Sequence, residues 1–133
     1  MVEAPEREDS LFELKLPAEG DSVAKARRAV SEVASAVGAP EVDVKIAVSE
    51  AVGNAVVHAF RERRPGTIVV RAKRERSRLV VTVSDDGGGM RPHLDSPGLG
   101  LGISLISKVA EDVQFDSSEN GTTVTMSFET ADE

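Results

Sequence analysis

The chain has 133 residues, of which 40% are hydrophobic and 29% charged, with 16 basic and 23 acidic side chains for a net charge of −7. This suits one globular domain with a real core, and it argues against a surface that binds nucleic acid non-specifically. The absence of cysteine excludes disulfides and thiolate zinc sites, and the absence of Trp and Tyr removes an aromatic platform for single strands.

No apolar run is long enough to span a bilayer, and the start Met1-Val-Glu-Ala-Pro-Glu-Arg-Glu-Asp9 lacks the form of a secretory signal. Cytoplasmic residence is the expectation. Residues 1–9 read as a mobile acidic tail, 10–129 as one domain and 130–133 as a second short tail. Alternation of Leu11, Glu13 and Lys15 with Phe12, Leu14 and Leu16 predicts a strand with one buried face, ended by Pro17. Asp21 or Ser22 caps a helix to about Val37, where Gly38 stops it. Its apolar side is Val23, Ala26, Val30, Val33, Ala34 and Val37.

A second helix is predicted from about Glu41 to Phe60, with Val44, Ala47, Val48, Ala51, Ala55 and Val56 as its stripe. Two strands follow, Thr67 to Lys73 and Arg78 to Ser84, joined by a hairpin turn at Glu75-Arg-Ser77. The run Asp85 to Gly102 is glycine-rich, and glycine there lets backbone approach a ligand and leaves N–H groups free for an anion at a helix start. A helix from Ile103 to about Glu111, a short strand Val113–Phe115, a turn over Asp116–Gly121 and a strand Thr122–Phe128 complete the chain. The pattern predicts an α+β fold, a two-layer α/β sandwich whose mixed, mainly antiparallel sheet carries the helices on one face. The second and third helices then lie side by side, which brings Asn54 near the glycine-rich loop.

Amphipathicity does not account for Glu50, Asn54 and His58, which recur every four residues on the second helix. An Asn amide oxygen is a hard neutral ligand suited to Mg²⁺ beside a nucleotide's phosphates, and a carboxylate one turn away can take a proton from an attacking hydroxyl. A solvated helix face is the alternative for Glu50 and Asn54, and packing near the helix end is the alternative for His58. Gly53, which costs roughly 1 kcal/mol against alanine in a helix interior, reads as a mark of close packing. The basic residues Arg61, Arg63, Arg64, Arg71, Lys73, Arg74, Arg76 and Arg78 gather around one hairpin, either as a solvated edge or as a dock for an acidic partner.

Together these segments resemble the Bergerat-fold ATPases, the superfamily of DNA gyrase B, histidine-kinase catalytic domains and MutL. Glu50-x-x-x-Asn54-x-x-x-His58 is similar to the N box, and Asp85-x-Gly87-x-Gly89 and Gly98-x-Gly100-x-Gly102 to the first two glycine boxes. Gly121-Thr122-Thr123-Val124 is similar to the last. The wording of Val48-Ser-Glu-Ala-Val-Gly-Asn-Ala-Val-Val-His58 resembles a subgroup, the anti-sigma-factor serine kinases. That resemblance implies ATP and Mg²⁺ as cofactors, and as partners a sigma factor and an anti-anti-sigma antagonist phosphorylated on serine. It also implies a homodimer, while the acidic charge and the short apolar runs give the expectation of no direct contact with nucleic acid or membrane. It implies that Asp85 accepts a hydrogen bond from the adenine amino group, helped through water by Thr122, with Thr123 as substitute. Gly87 and Gly89 then admit the base and ribose, Gly98, Gly100 and Gly102 cradle the phosphates, Asn54 holds Mg²⁺, and Glu50 is the general base.

The segment between the glycine boxes, Met90-Arg-Pro-His-Leu-Asp-Ser-Pro97, is shorter than such kinases usually carry. A short lid encloses the γ-phosphate less and offers less surface to a protein substrate; its Arg91 and His93 are expected in solvent. A nucleotide-responsive binding protein without catalysis is the alternative from another class. A detached histidine-kinase domain would call for a dimerisation helix or a long lid, and neither is visible.

Overall fold

In the computed structural model, which describes residues 8–62, 65–86, 99–118 and 121–131, the first strand, β1 (Glu8–Pro17), is longer than its apolar alternation suggests. Glu8 and Asp9, expected in the tail, pair with Glu75 and Arg74, and a register shift between Ser10 and Phe12 keeps the apolar side chains on one face. The remainder of the expected N-terminal tail, 1–7, lies outside the described residues, as do 132–133 of the second.

Helix α1 (Asp21–Val37) buries Ala26, Val30 and Ala34 along the expected stripe. Neither Asp21 nor Ser22 caps it: Gly20 holds the N-cap position without a side-chain bond, and the Ser22 hydroxyl donates instead to the Pro17 carbonyl, tying helix to strand. Gly38 ends the helix in the left-handed region at φ 76°, with its N–H turned back to Ala34 and Ser35. A Cβ there would lie 2.5 Å from that of Ala131, whose N–H bonds to the Val37 and Gly38 carbonyls at 3.3 and 3.1 Å. Gly38→Ala is therefore expected to destabilise the fold by about 1–2 kcal/mol, read as a lower urea midpoint.

Helix α2 (Glu41–Glu62) buries Val44, Ala47, Val48, Ala51, Val52, Ala55 and Ala59. It is latched to α1 by Arg27 Nε donating to Ser49 Oγ at 3.1 Å and by Ser31 donating to Glu41. Strands β2 (Thr67–Glu75) and β3 (Arg78–Asp85) form a hairpin whose two-residue turn places Arg76 at φ 61°. Helix α3 (Leu99–Val109) starts four residues before the expected Ile103, so Gly100 and Gly102 belong to its first turn rather than to a loop. A first turn tolerates glycine because its N–H groups lack intrahelical partners in any case. Strands β4 (Asp112–Ser118) and β5 (Gly121–Glu129) close the chain of elements.

The sheet order is β1-β2-β3-β5-β4, antiparallel at every junction rather than mixed. The helices follow the same order on one face, with α1 against β1 and β2, α2 against β3 and β5, and α3 against β4. Between the layers lie Ile68, Val70, Ala72, Leu79, Val81, Val83, Val124, Met126 and Phe128, the period-two positions of the three central strands. The other face of the sheet is mainly polar, with Val69 and Val80 among its hydroxyls and charges, and carries the Arg71–Glu13 ion pair at 3.4 Å. Since β2 and β3 are both interior strands, their arginines and lysines do not blunt a sheet edge. Arg71 instead pairs with β1, and Arg78 donates to Ser127 at 3.2 Å. Arg63 and Arg64 of the same cluster lie outside the described residues.

Candidate nucleotide site

Antiparallel partners directly opposite share a face of the sheet, so register alone says which side chains form a row. At one end of the sheet a row runs Leu16, Ile68, Asp85, Thr122, Ser117 from β1 to β4, all on the helix-covered side. Its β1–β2 half is apolar and buried, and its other half is a carboxylate followed by two hydroxyls. Thr122 is only 2% exposed, and its Oγ1 lies 3.3 Å from Ser117 Oγ. Thr123 faces the opposite side, 3.1 Å from Ser84 Oγ. The pairing of Asp85 with Thr122 is thus built by strand register, with Thr123 turned away.

Two glycines hold this end in place. Gly121, at φ 139°, brings β5 so close to β3 that an added Cβ would sit 2.0 Å from the Asp85 carbonyl oxygen. Gly66 lies under Asp86, whose Oδ1 would be 3.5 Å from an added Cβ. Asp86 closes the β2–β3 ladder: the Thr67 N–H donates to its Oδ1 at 2.9 Å, and its own N–H donates to the Thr67 carbonyl at 3.3 Å. His58, together with Ala55 and Ala59 on α2, borders a small cavity with Asp85 and Asp86, so it packs against this same end of the sheet. A larger apolar cavity of about 700 Å³ beside Ala18, Val56, Ala59 and Phe60 holds none of the motif residues.

Glu50 and Asn54 are half-buried on successive turns of α2, which lies between α1 and α3. Ser49 marks the α1 side by its bond to Arg27, and Glu50 and Asn54 are further round the helix on the opposite flank. Helix α3 is joined to β4 through Ala110 and Glu111 alone, so its C-terminus is at the Asp112 end and its N-terminus points toward the Ser118 end. The first-turn backbone of Gly100 and Gly102 therefore lies at the same end of the sandwich as Asp85, Thr122 and Ser117. Helix adjacency thus follows the expectation, whereas Gly87, Gly89, Gly98 and the segment 90–97, with Arg91 and His93, lie outside the described residues. Packing against the described residues does not account for Gly53, since none of them lies within 4 Å of an added Cβ.

Two residues escaped sequence reasoning. Ser117 was hidden inside an expected turn, although Val113, Phe115 and Ser117 already have the period of one strand face. Asp86 stood at a variable position of the first glycine box, with nothing local to mark its bond to Thr67.

Residues 16–128 match the histidine kinase-like ATPase domain. The chain belongs to that family. Within this ATPase family, the serine-protein kinase RsbW of Bacillus velezensis is 35% identical over 133 residues, covering 86% of this chain and 82% of that protein. The anti-sigma F factor of Bacillus subtilis is 30% identical over 96 residues, covering 62% and 64% respectively. Among solved structures, the histidine kinase domain of the blue-light activated histidine kinase from Erythrobacter litoralis EL346 superposes with a TM-score of 0.58 at 28% identity, covering 68% of this chain and 45% of that one. The RsbU and RsbW domains of Rv1364c from Mycobacterium tuberculosis share the fold, with a TM-score of 0.68 at 22% identity over 90% of this chain and 33% of that one. The histidine kinase-like ATPase fold thus spans nearly the whole described chain, and family membership carries the use of ATP.

Proposed function

We propose that the chain is an ATP-dependent protein serine kinase that also binds a sigma factor, its phosphate acceptor being a serine of an anti-anti-sigma antagonist. The observation that carries this reading is the Asp85–Thr122 row lying at the N-terminal end of α3, in a chain whose relatives are named serine-protein kinase and anti-sigma factor. Asp85 accepts from the 6-amino group of the base, with Thr122 beside it. The α3 N-terminus, whose first-turn N–H groups have no intrahelical partners, faces the phosphates.

For the metal, no group of three or more His, Cys, Asp or Glu among the described residues could hold an ion. Asn54, half-buried on the α3 flank of α2, would hold Mg²⁺ through one hard amide oxygen beside the nucleotide's phosphates. When bound, the ion neutralises charge on the phosphates. Glu50 takes the proton of the incoming serine hydroxyl as its oxygen bonds to the γ-phosphorus, and the bond from that phosphorus to the bridging oxygen breaks to release ADP. Such transfer asks the protein mainly for positioning and charge stabilisation, which these few side chains supply.

A homodimer and residence in the cytoplasm belong to the same reading; among the described residues no helix is long and apolar enough to cross a membrane. The test is incubation with γ-labelled ATP, Mg²⁺ and a candidate antagonist, followed by phosphoamino-acid analysis. Phosphoserine on the antagonist is the expected result. Its persistent absence while the two proteins bind each other would replace the kinase by a nucleotide-responsive binding protein.

A further inference from the structure

The β2–β3 ladder is closed by a side chain. Continuing the register Ile68↔Asp85 by one step places Thr67 opposite Asp86. In a hydrogen-bonded antiparallel pair each residue gives its N–H to the main-chain carbonyl of the other. The Asp86 N–H does so, reaching the Thr67 carbonyl at 3.3 Å, but the Thr67 N–H donates at 2.9 Å to Asp86 Oδ1. A carboxylate thus stands in for a backbone acceptor at the first residue of β2. That residue is itself joined to β1, since Thr67 pairs with Pro17 and the Ala18 N–H donates to the Gly66 carbonyl at 2.9 Å. Gly66 leaves little room beside the carboxylate: an added Cβ would lie 3.3 Å from that of Ala18 and 3.5 Å from Asp86 Oδ1. Asp85, the residue before, is therefore held from both sides, by the close approach of Gly121 on β5 and by the bond from Asp86 to β2.

Resting on the nucleotide-site reading above, we propose that Asp86 is a positioning residue for base recognition. By tying the end of β3 to the start of β2, it fixes the backbone from which the Asp85 carboxylate reaches the 6-amino group. A hydrogen bond weakens steeply with misalignment, and a displacement of about 1 Å is enough to lose most of it. With the Thr67 bond gone, Asp85 stands one residue from a fraying strand end, and its carboxylate meets the amino group for only part of the time. The phosphates are met by α2 and α3 rather than by the β2–β3 ladder, so their share of the affinity is untouched. Whatever else the Asp86 carboxylate touches, this anchoring needs only one of its oxygens and the Thr67 N–H.

The experiment titrates the full chain, with Mg²⁺, against ATP and against purine riboside 5′-triphosphate, which lacks the 6-amino group and is otherwise the same. The native chain is expected to prefer ATP by about 10-fold or more, the worth of a hydrogen bond to a charged group. Asp86→Ala is expected to lower that preference about fivefold, with the whole change in ATP affinity and none in affinity for the amino-free nucleotide. Asp86→Asn keeps an oxygen for the Thr67 N–H, and the preference stays within about twofold of native. The charge it loses acts on the same triphosphate in both ligands and cancels in the ratio. Asp86 is exposed, so both variants are expected to fold, and a urea titration checks it. A native preference in Asp86→Ala, an equal loss of both nucleotides, or an Asn variant that behaves like the Ala one overturns the proposal. Asp85→Asn in the same titration tells the two levels apart. If it abolishes the preference for ATP while Asp86→Ala leaves it intact, only the role of Asp86 falls. If the native chain binds both nucleotides equally and Asp85→Asn binds ATP as tightly, the base-site reading falls and Asp86 with it.

Discussion

Glu50→Gln is expected to reduce phosphate transfer to serine by roughly 10²- to 10⁴-fold, the range of a general base, while ATP affinity stays within about twofold of native. Gln keeps the volume and much of the hydrogen-bonding ability of Glu, and loses only the capacity to take a proton. Glu50 lies on the same flank of α2 as Asn54, one turn nearer the helix N-terminus, whereas the row proposed to recognise the base is on the sheet. A change confined to Glu50 therefore separates catalysis from binding. The measurement is single-turnover transfer from labelled ATP with nucleotide binding titrated in parallel. Transfer at the native rate would remove Glu50 from its role, and parallel loss of transfer and affinity would make it a binding residue.

The second large effect comes from a residue that touches no ligand group itself. Gly121→Ala places a Cβ 2.0 Å from the Asp85 carbonyl oxygen and 3.0 Å from its carbon, both backbone atoms that cannot swing aside. Either β5 separates from β3 or Asp85 moves, and the expected cost is about 2–4 kcal/mol of stability. ATP affinity is expected to fall by about 10- to 100-fold, the same range as for Asp85→Asn, because a charge-assisted hydrogen bond contributes that much. Gly53→Ala is the contrasting control: no described atom opposes its Cβ, and alanine favours the helix by about 1 kcal/mol, so a raised urea midpoint is expected. If Gly121→Ala bound ATP as tightly as the native chain, the close approach of β5 to Asp85 would not govern the site.

The sequence disclosed those parts of the molecule whose signals are local. The stripe of α1, its stop at Gly38 and the alternation in β5 are periodicities or single-residue conformational needs, and all three are found in the fold. The errors occur where a residue type has two uses. Gly100 and Gly102 read as the end of the glycine-rich run ahead of the helix, yet a first helical turn has no intrahelical N–H bonds for them to weaken. Asp116, Ser117 and Ser118 read as a turn, because an edge strand exposed to water need not carry apolar side chains at its end. The basic residues of the β2–β3 hairpin suggested a strand edge, but edge or interior is decided by a partner from elsewhere in the chain, here β1. The candidate site divides in the same way. Glu50 and Asn54 announce themselves by spacing on one helix, and Asp85 by the glycines after it. Ser117 and Asp86 acquire meaning only through residues on other strands.

The order of the strands has a consequence for how the protein is made. Asp85 ends β3, whose neighbour across the proposed base site is β5, which leaves the ribosome after the other described elements. Until β5 emerges, the nascent chain can pair β1, β2 and β3 and pack α1 and α2 on them. It nevertheless lacks Thr122 and the Gly121 contact that fixes the Asp85 carbonyl. With the proposed site, nucleotide cannot assist that early assembly, and the stabilisation that ligand binding gives a native state arrives only once β5 has joined the sheet.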